Sequence, residues 1–262
     1  MKATEIALDA CRKKGLDKIL LTMWGDDGAE CSPLLGGLLG LQLFAEIAYN
    51  GGRDDDALDA RFEACTGCPA QPFRALGAFN RIGLDARPGD VMNPVKQLLY
   101  EDPLMPLFEA DFAGLEPEAH YRVLAARYAR YAEENPAFAD FFGFYAQLGR
   151  AVAAKCAYRA AAAPTVRRGD RRAAEKDVLP LCDACIKEMR ALAPWILASG
   201  VLNETFEDVR YQPSGCLSRE TLLESGLPLP EFDAVQGSAL VSAAYQGTSF
   251  ELSNIRLSDP AK

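Results

Sequence analysis

Residues 18–32, Lys-Ile-Leu-Leu-Thr-Met-Trp-Gly-Asp-Asp-Gly-Ala-Glu-Cys-Ser, constrain this chain more than any other stretch. The run Ile19, Leu20, Leu21, Thr22, Met23, Trp24 is almost continuously apolar, as in a strand covered on both faces. Gly25 and Gly28 then release the backbone into a loop that holds Asp26, Asp27 and Glu30. Strand ends that carry an aromatic ring and carboxylates are where α/β barrels and open α/β sheets place their ligand chemistry. Such a strand needs neighbours, because buried backbone N–H and C=O groups must be paired. The remainder of the chain offers few.

Beyond the acidic loop, most of the chain up to about residue 200 reads as helix. Ser32 is an N-cap and Pro33 suits the first helical position. The segment 34–49 is apolar nearly all round (Leu34, Leu35, Leu38, Leu39, Leu41, Leu43, Phe44, Ile47), so it is expected to be buried. Its glycines lack the Gly-x-x-x-x-Gly-Lys spacing of a phosphate cradle and fit close helix packing instead. Further helices are expected over 54–65, 69–79, 94–100, 117–134, 136–162 and 170–197. Ahead of the strand, 4–14 reads as a helix with Ile6, Ala7, Ala10 and Cys11 on one face. From 201 onward prolines and serines multiply, and 206–211, 239–245 and 250–257 are strand candidates.

Totals exclude several classes. A chain of 262 residues with 49 % hydrophobic content is globular and builds a sizeable core. A net charge of -9 argues against nucleic acid, whose binding rests on Lys and Arg neutralising phosphates. No apolar run reaches the roughly 18 residues of a membrane span. The N-terminus carries Glu5 and Asp9, unlike a secretory signal. The expected location is the cytoplasm, with the eight cysteines mostly reduced.

Several constellations have a bland reading and a sharp one. Cys65/Cys68 and Cys182/Cys185 could together hold a structural zinc. The pairs are distant in sequence and the second falls within a helix, so buried thiols are the reading taken and no metal is expected. His120, the only histidine, sits on the first turns of a Tyr-rich helix with no nucleophile motif near it, which favours packing over catalysis. Asp54, Asp55 and Asp56 suit a helix N-terminus better than a cation site. Arg167, Arg168, Arg171 and Arg172 read as a solvated turn. The aromatic residues Tyr121, Tyr128, Tyr131, Phe138, Phe141, Phe142, Phe144 and Tyr145 read as helix–helix core, with a dimer surface as the alternative.

The loop Thr22-Met23-Trp24-Gly25-Asp26-Asp27-Gly28-Ala29-Glu30-Cys31-Ser32 resembles the end of the last barrel strand in glycoside hydrolase family 20, the β-N-acetylhexosaminidases. It is most similar to the bacterial branch whose barrel is followed by a helical domain. Leu41-Gln42-Leu43-Phe44-Ala45-Glu46, the segment Asn93-Pro94-Val95-Lys96-Gln97-Leu98-Leu99-Tyr100-Glu101-Asp102-Pro103-Leu104, and the stretch 157–170 extend the likeness over about 1–195. The resemblance implies a mainly α chain: the terminal βα element of a (β/α)8 barrel over 1–50, a helical domain over 51–200, and an irregular tail over 201–262.

The same resemblance implies hydrolysis of terminal β-linked N-acetylhexosamine. In that mechanism the sugar's own acetamido oxygen attacks the anomeric carbon, a departure from the usual pair of enzymic carboxylates. Trp24 would line the terminal-sugar pocket and Asp26 would accept hydrogen bonds from O4 and O6, with Asp27 and Glu30 as secondary contacts. Residue chemistry agrees. An indole packs on the apolar face of a pyranose, and an ionised carboxylate accepts two hydroxyl donors. On local pattern alone, Trp24 reads first as a core aromatic and Asp26 as a turn residue; the extended likeness reverses that order.

The family's Asp-Glu catalytic pair is absent: Asp followed directly by Glu occurs nowhere in the sequence. The expectation is therefore a C-terminal segment of a hexosaminidase that lacks a catalytic residue of its own and needs no cofactor. Its partners would be an amino-sugar glycan and either the missing barrel part or a second copy. The alternative is a stand-alone helical binding or scaffold module. The tail departs from the helices the family implies after Trp195, as a reading-frame slip or an assembly end would make it.

Overall fold

The structure is a computed structural model that describes residues 2–16, 18–22, 33–82, 94–104 and 108–198. It is mainly helical. In chain order the elements are α1 (Lys2–Lys13), α2 (Pro33–Asn50), α3 (Asp55–Thr66), α4 (Ala70–Ala75), a 3-10 turn (Leu76–Asn80), α5 (Pro94–Tyr100), α6 (Pro117–Glu134) and, after a second 3-10 turn (Pro136–Phe138), α7 (Ala139–Arg167). α8 (Arg171–Ala173) and a π-turn (Ala174–Val178) then lead into α9 (Leu179–Ala198).

Local sequence sets the ends of these helices. Asp54 caps α3, its Oδ1 accepting from the Ala57 N–H at 3.1 Å, while Asp55 and Asp56 fill the first turn. Gly67 ends α3 in the left-handed region (φ 70°), which a residue with a Cβ enters only under strain. Pro117 opens α6 at its first turn, where a missing N–H costs nothing. Asp170 Oδ1 accepts from Ala173 N at 2.9 Å to start the last helical run.

α6, α7 and α9 form an antiparallel stack with α7 in the middle. α7 is buried on nearly every side between 141 and 166. The approach of α6 is set by Gly149, where an added Cβ would lie 3.0 Å from the Cα, Cβ and N of Ala125. On the α9 side, the Trp195 indole closes over Gly143. The aromatic residues expected in a helix–helix core are there. Phe73 meets Phe62 at 4.9 Å and Phe142 at 5.3 Å between ring centroids, and Tyr128 meets Phe79 and Tyr145, both at 5.4 Å.

Polar tips on α6 satisfy the carbonyls of the segment lying across it. Tyr128 Oη donates to Pro72 O (2.9 Å), Tyr121 Oη to Phe79 O (2.8 Å), and His120 Nε2 lies 2.9 Å from Ala78 O. One continuous hydrophobic core runs from Leu8 through Leu39, Leu43, Leu58 and Phe62 to Leu192, so α2 and α3 share the core of the later helices.

One expectation changes. Among the described residues there is no β-strand, 18–22 included; Leu20 is 85 % exposed. An apolar run cannot become a buried strand without neighbours for its backbone groups. The apolar side of α1 is turned mostly outward, with Cys11 half-buried. Leu8 is buried, whereas Ile6, Ala7 and Ala10 point outward. Polar contacts orient this helix: Arg12 donates to Gly51 O, and Arg53 Nη1 reaches Glu5 Oε2 at 3.2 Å. The helix over 34–49 is buried along Leu39, Leu43 and Ile47 but leaves Leu34 in solvent. The strand candidates 206–211, 239–245 and 250–257 lie outside the described residues.

Gly149→Leu is expected to lower stability by at least about 1–3 kcal/mol, because the facing atoms are α6 backbone and cannot yield. Gly40→Ala, with nothing within 4 Å of the new methyl, is expected to raise it by about 0.5–1 kcal/mol. Urea unfolding midpoints of the two variants check both signs.

Candidate functional site

Trp24, Asp26, Asp27 and Glu30 lie outside the described residues. What is described on either side is the exposed end of 18–22 and the start of α2 at Pro33. The described part of the molecule holds two polar clusters within apolar surroundings.

The first lies on α2. Glu46 is buried on a helix that is otherwise nearly all apolar, and it carries the acid of the Leu41–Glu46 segment. Its carboxylate accepts from the Arg61 guanidinium on α3 and from Asn50 Nδ2 at 2.7 Å. The hydrogen bond from Arg61 holds the Glu46 carboxyl below the usual range, against the opposing effect of burial. Nearby, Arg53 Nε pairs with Asp55 Oδ1 at 2.8 Å, and Arg74 joins Asp55 to Asp59. Asp54 thus caps α3, Asp55 takes ion pairs, and Asp56 lies in the first turn.

The second cluster joins α5 to α7. Glu101 has its carboxylate wholly out of solvent, 2.6 Å from Arg159 Nε. Its other oxygen accepts the Phe108 backbone N–H at 2.7 Å, so the acid ties the chain beyond α5 to the α7 helix. Lys155, fully buried on the same side of α7, donates to Leu99 O at 2.5 Å. The Arg159 guanidinium carbon lies 5.6 Å from the Phe112 ring centroid. Burial pushes the Glu101 carboxyl up, opposed by the charge of Arg159, the Phe108 N–H and Lys155. The cluster works as a staple between α5 and α7.

The remaining residue types are accounted for by packing. Cys68 is buried with Sγ 3.2 Å from Asn135 Oδ1, and burial pushes its thiol up to about 11. Burial pushes the Cys156 thiol up to about 12. These are inert thiols, far from the thiolate that nucleophilic or metal chemistry requires. Cys65 is exposed, and Cys182 and Cys185 are buried within α9. Among the described residues no group of three or more His, Cys, Asp and Glu side chains can hold a metal ion. His120 supports the 3-10 turn through Ala78. Arg167, Arg168 and Arg171 contact Glu109, Thr165 and Glu175 around Gly169, as a solvated turn does. Among the described residues no helix is long and apolar enough to cross a membrane.

Residues 71–195 match the Glycoside Hydrolase 20C C-terminal domain. This stretch belongs to that family. The match runs from the second residue of α4 to Trp195 on α9, and contains the Asn-Pro segment and the late helices that carried part of the resemblance. The Trp-Gly-Asp loop lies ahead of it. No curated protein matches the chain.

Within this glycoside hydrolase 20C domain, the Glu101–Arg159–Lys155 staple was not singled out in the sequence. Its signal is the placing of Lys155 between Val152 and Tyr158, on the apolar stripe of α7, where a charge is retained only with a partner. Gln147 shows the same pattern: buried on α7, it donates to Glu188 O at 2.9 Å and so joins α9.

Glu101→Ala is expected to cost about 3–5 kcal/mol, because it strands the Arg159 charge in the interior; thermal and urea unfolding read this directly. Glu46 has a folded pKa below its unfolded one, so its contribution is present above the unfolded value near 4.5 and is lost as pH falls through the folded value. Glu46→Gln should therefore flatten the loss of stability in unfolding midpoints taken from pH 6 down to pH 3.

Proposed function

We propose that the chain is the C-terminal segment of a β-N-acetylhexosaminidase: residues 1–50 close a (β/α)8 barrel, 51–200 form its helical domain, and the sugar pocket takes Trp24 and Asp26 from this chain. The single observation that carries the reading is the family match over 71–195, downstream of the Trp-Gly-Asp loop and in continuous core with α2. Trp24 stacks on the terminal sugar, Asp26 accepts from O4 and O6, and Asp27 and Glu30 line the approach. The general acid and the group that orients the acetamido oxygen come from the rest of the barrel, since no Asp-Glu pair stands in this chain. General-acid catalysis is worth roughly 10²–10⁴-fold, so the chain by itself is inactive. The protein acts in the cytoplasm on amino-sugar glycans.

A second reading, a stand-alone helical binding module, is favoured by the continuous core of 39–192, which needs nothing from outside to bury its aromatic residues.

Joining the chain in frame to the upstream barrel of a glycoside hydrolase 20C enzyme tests the first reading. The joined protein is expected to release p-nitrophenol from the N-acetyl-β-glucosaminide, and the chain alone is not. Asp26→Ala in the joined protein removes a charged acceptor worth about 1.5–3 kcal/mol, hence roughly 10- to 150-fold in kcat/KM. An inactive joined protein, or one indifferent to Trp24→Ala and Asp26→Ala, leaves the helical module standing.

A further inference from the structure

Five side chains between α1 and α4 alternate in charge and touch in turn: Glu5, Arg53, Asp55, Arg74 and Asp59. Arg53 is gripped twice by its near neighbour. Its Nε donates to Asp55 Oδ1 at 2.8 Å and its Nη2 to Asp55 Oδ2 at 3.1 Å. That fork fixes the guanidinium plane and leaves Nη1 to reach Glu5 Oε2 at 3.2 Å. Asp55 accepts in addition from Arg74 Nη2 at 3.2 Å, and Arg74 Nε reaches Asp59 Oδ1 at 3.2 Å. Each arginine thus lies between two acids. Arg74 falls within 71–195, so the ladder runs from the N-terminal helix into the stretch that matches the hydrolase family.

α1 has little else to hold it. It packs on α2, and Leu8 is its sole fully buried side chain among those described. The pairs of Asp9 with Arg12 and Lys13 lie within α1 and tie it to nothing else. Arg12 donates to Gly51 O, a neutral acceptor. Among the described residues, Glu5–Arg53 is the one ion pair between α1 and the body.

We propose that Glu5–Arg53 is an ionic latch and α1 a strap: salt releases the strap from the body while α2–α9 stay folded. The hydrophobic core gives the reason for separate release, since it runs on from α2 to α9 and takes only Leu8 from α1. The latch itself is open to solvent, with the Arg53 and Glu5 side chains 26 % and 42 % exposed. Exposed charges are screened as salt rises, the Debye length falling from about 10 Å at 0.1 M to about 3 Å at 1 M. Burial of Leu8 is not screened. Opening of a weakly held terminal helix ahead of global unfolding is an ordinary local event. The latch stands whether or not Trp24 and Asp26 hold a sugar. α1 precedes both in sequence, so its release frees the chain that leads into them.

Hydrogen exchange read by mass spectrometry on the whole chain tests this at about 0.05 M and about 1 M NaCl. Amides of α1 are expected to exchange about 2- to 5-fold faster at the higher salt, the range one exposed ion pair supports, while those of α7 stay unchanged. Glu5→Gln and Arg53→Gln should each bring α1 to the faster rate at low salt, and combining them should add nothing further for α1. Asp9→Asn, which removes pairs internal to α1, should leave the salt response in place. Glu5 lies on the strap itself, so its variant reads the latch even where Arg53→Gln disturbs the start of α3. Slow exchange of α7 in each variant shows that the body has stayed folded. Rates in α1 that are indifferent to salt and to Glu5→Gln overturn the latch. So does a salt response that disappears in Asp9→Asn, or protection of α1 that grows with salt, as burial of Leu8 alone would give.

Discussion

The close approach of α6 to α7 at Gly149 underlies the rest of the fold. With no side chain at that position, the Ala125 backbone comes within van der Waals contact of α7. The two helices then stay close enough for Tyr128 of α6 to meet Phe142 and Tyr145 of α7 in one aromatic cluster. The Tyr121 and Tyr128 hydroxyls cross to carbonyls of the 72–80 segment, so a single face of α6 both packs the core and pairs the backbone of a neighbour. Dense packing of this kind is sensitive to single atoms, because interiors have no spare volume to absorb them.

Several buried polar side chains among the described residues join elements. Glu46 bridges α2 to α3, Glu101 and Arg159 bridge the chain after α5 to α7, and Gln147 bridges α7 to α9. Each group reaches across a helix–helix boundary, so each ties two elements together; the Glu101–Arg159 pair does so as an ion contact, with Arg159 Nη2 left without a hydrogen-bond partner among the described residues. Replacing such pairs by apolar residues is often neutral for stability; their contribution here is to select one arrangement among the similar apolar faces of α2, α5 and α7.

The N-terminal part behaves differently. Among the described residues, the large apolar side chains left in solvent are concentrated in the first fifty, on α1, in 16–20 and at Leu34 and Tyr49 of α2, with Val123 the exception. A helix docked by its charged edge gains little from burial, since each exposed ion pair is worth about 1 kcal/mol or less, and its outward stripe is available for a larger contact.

Helix positions from 54 to 197 were legible in the sequence because each is marked by local chemistry. Asp54 and Asp170 start helices, Gly67 stops one, prolines open α5 and α6, and the Tyr spacing on α6 repeats at three and four. The aromatic core was legible for the same reason: ring-bearing residues at helical period have few alternatives to mutual burial. The family of 71–195 was legible from the Asn-Pro segment and the late helices. Three things were decided by tertiary structure alone. One is the inward side of α1, because contacts 39 and 48 residues away, at Gly51 and Arg53, outvoted its own apolar stripe. Another is the absence of a strand at 18–22 among the described residues, since a strand exists only through pairing and its apolar sequence cannot supply the partner. The last is the Glu101–Arg159–Lys155 staple, whose members are 54 and 58 positions apart and meet only when α5 is laid on α7.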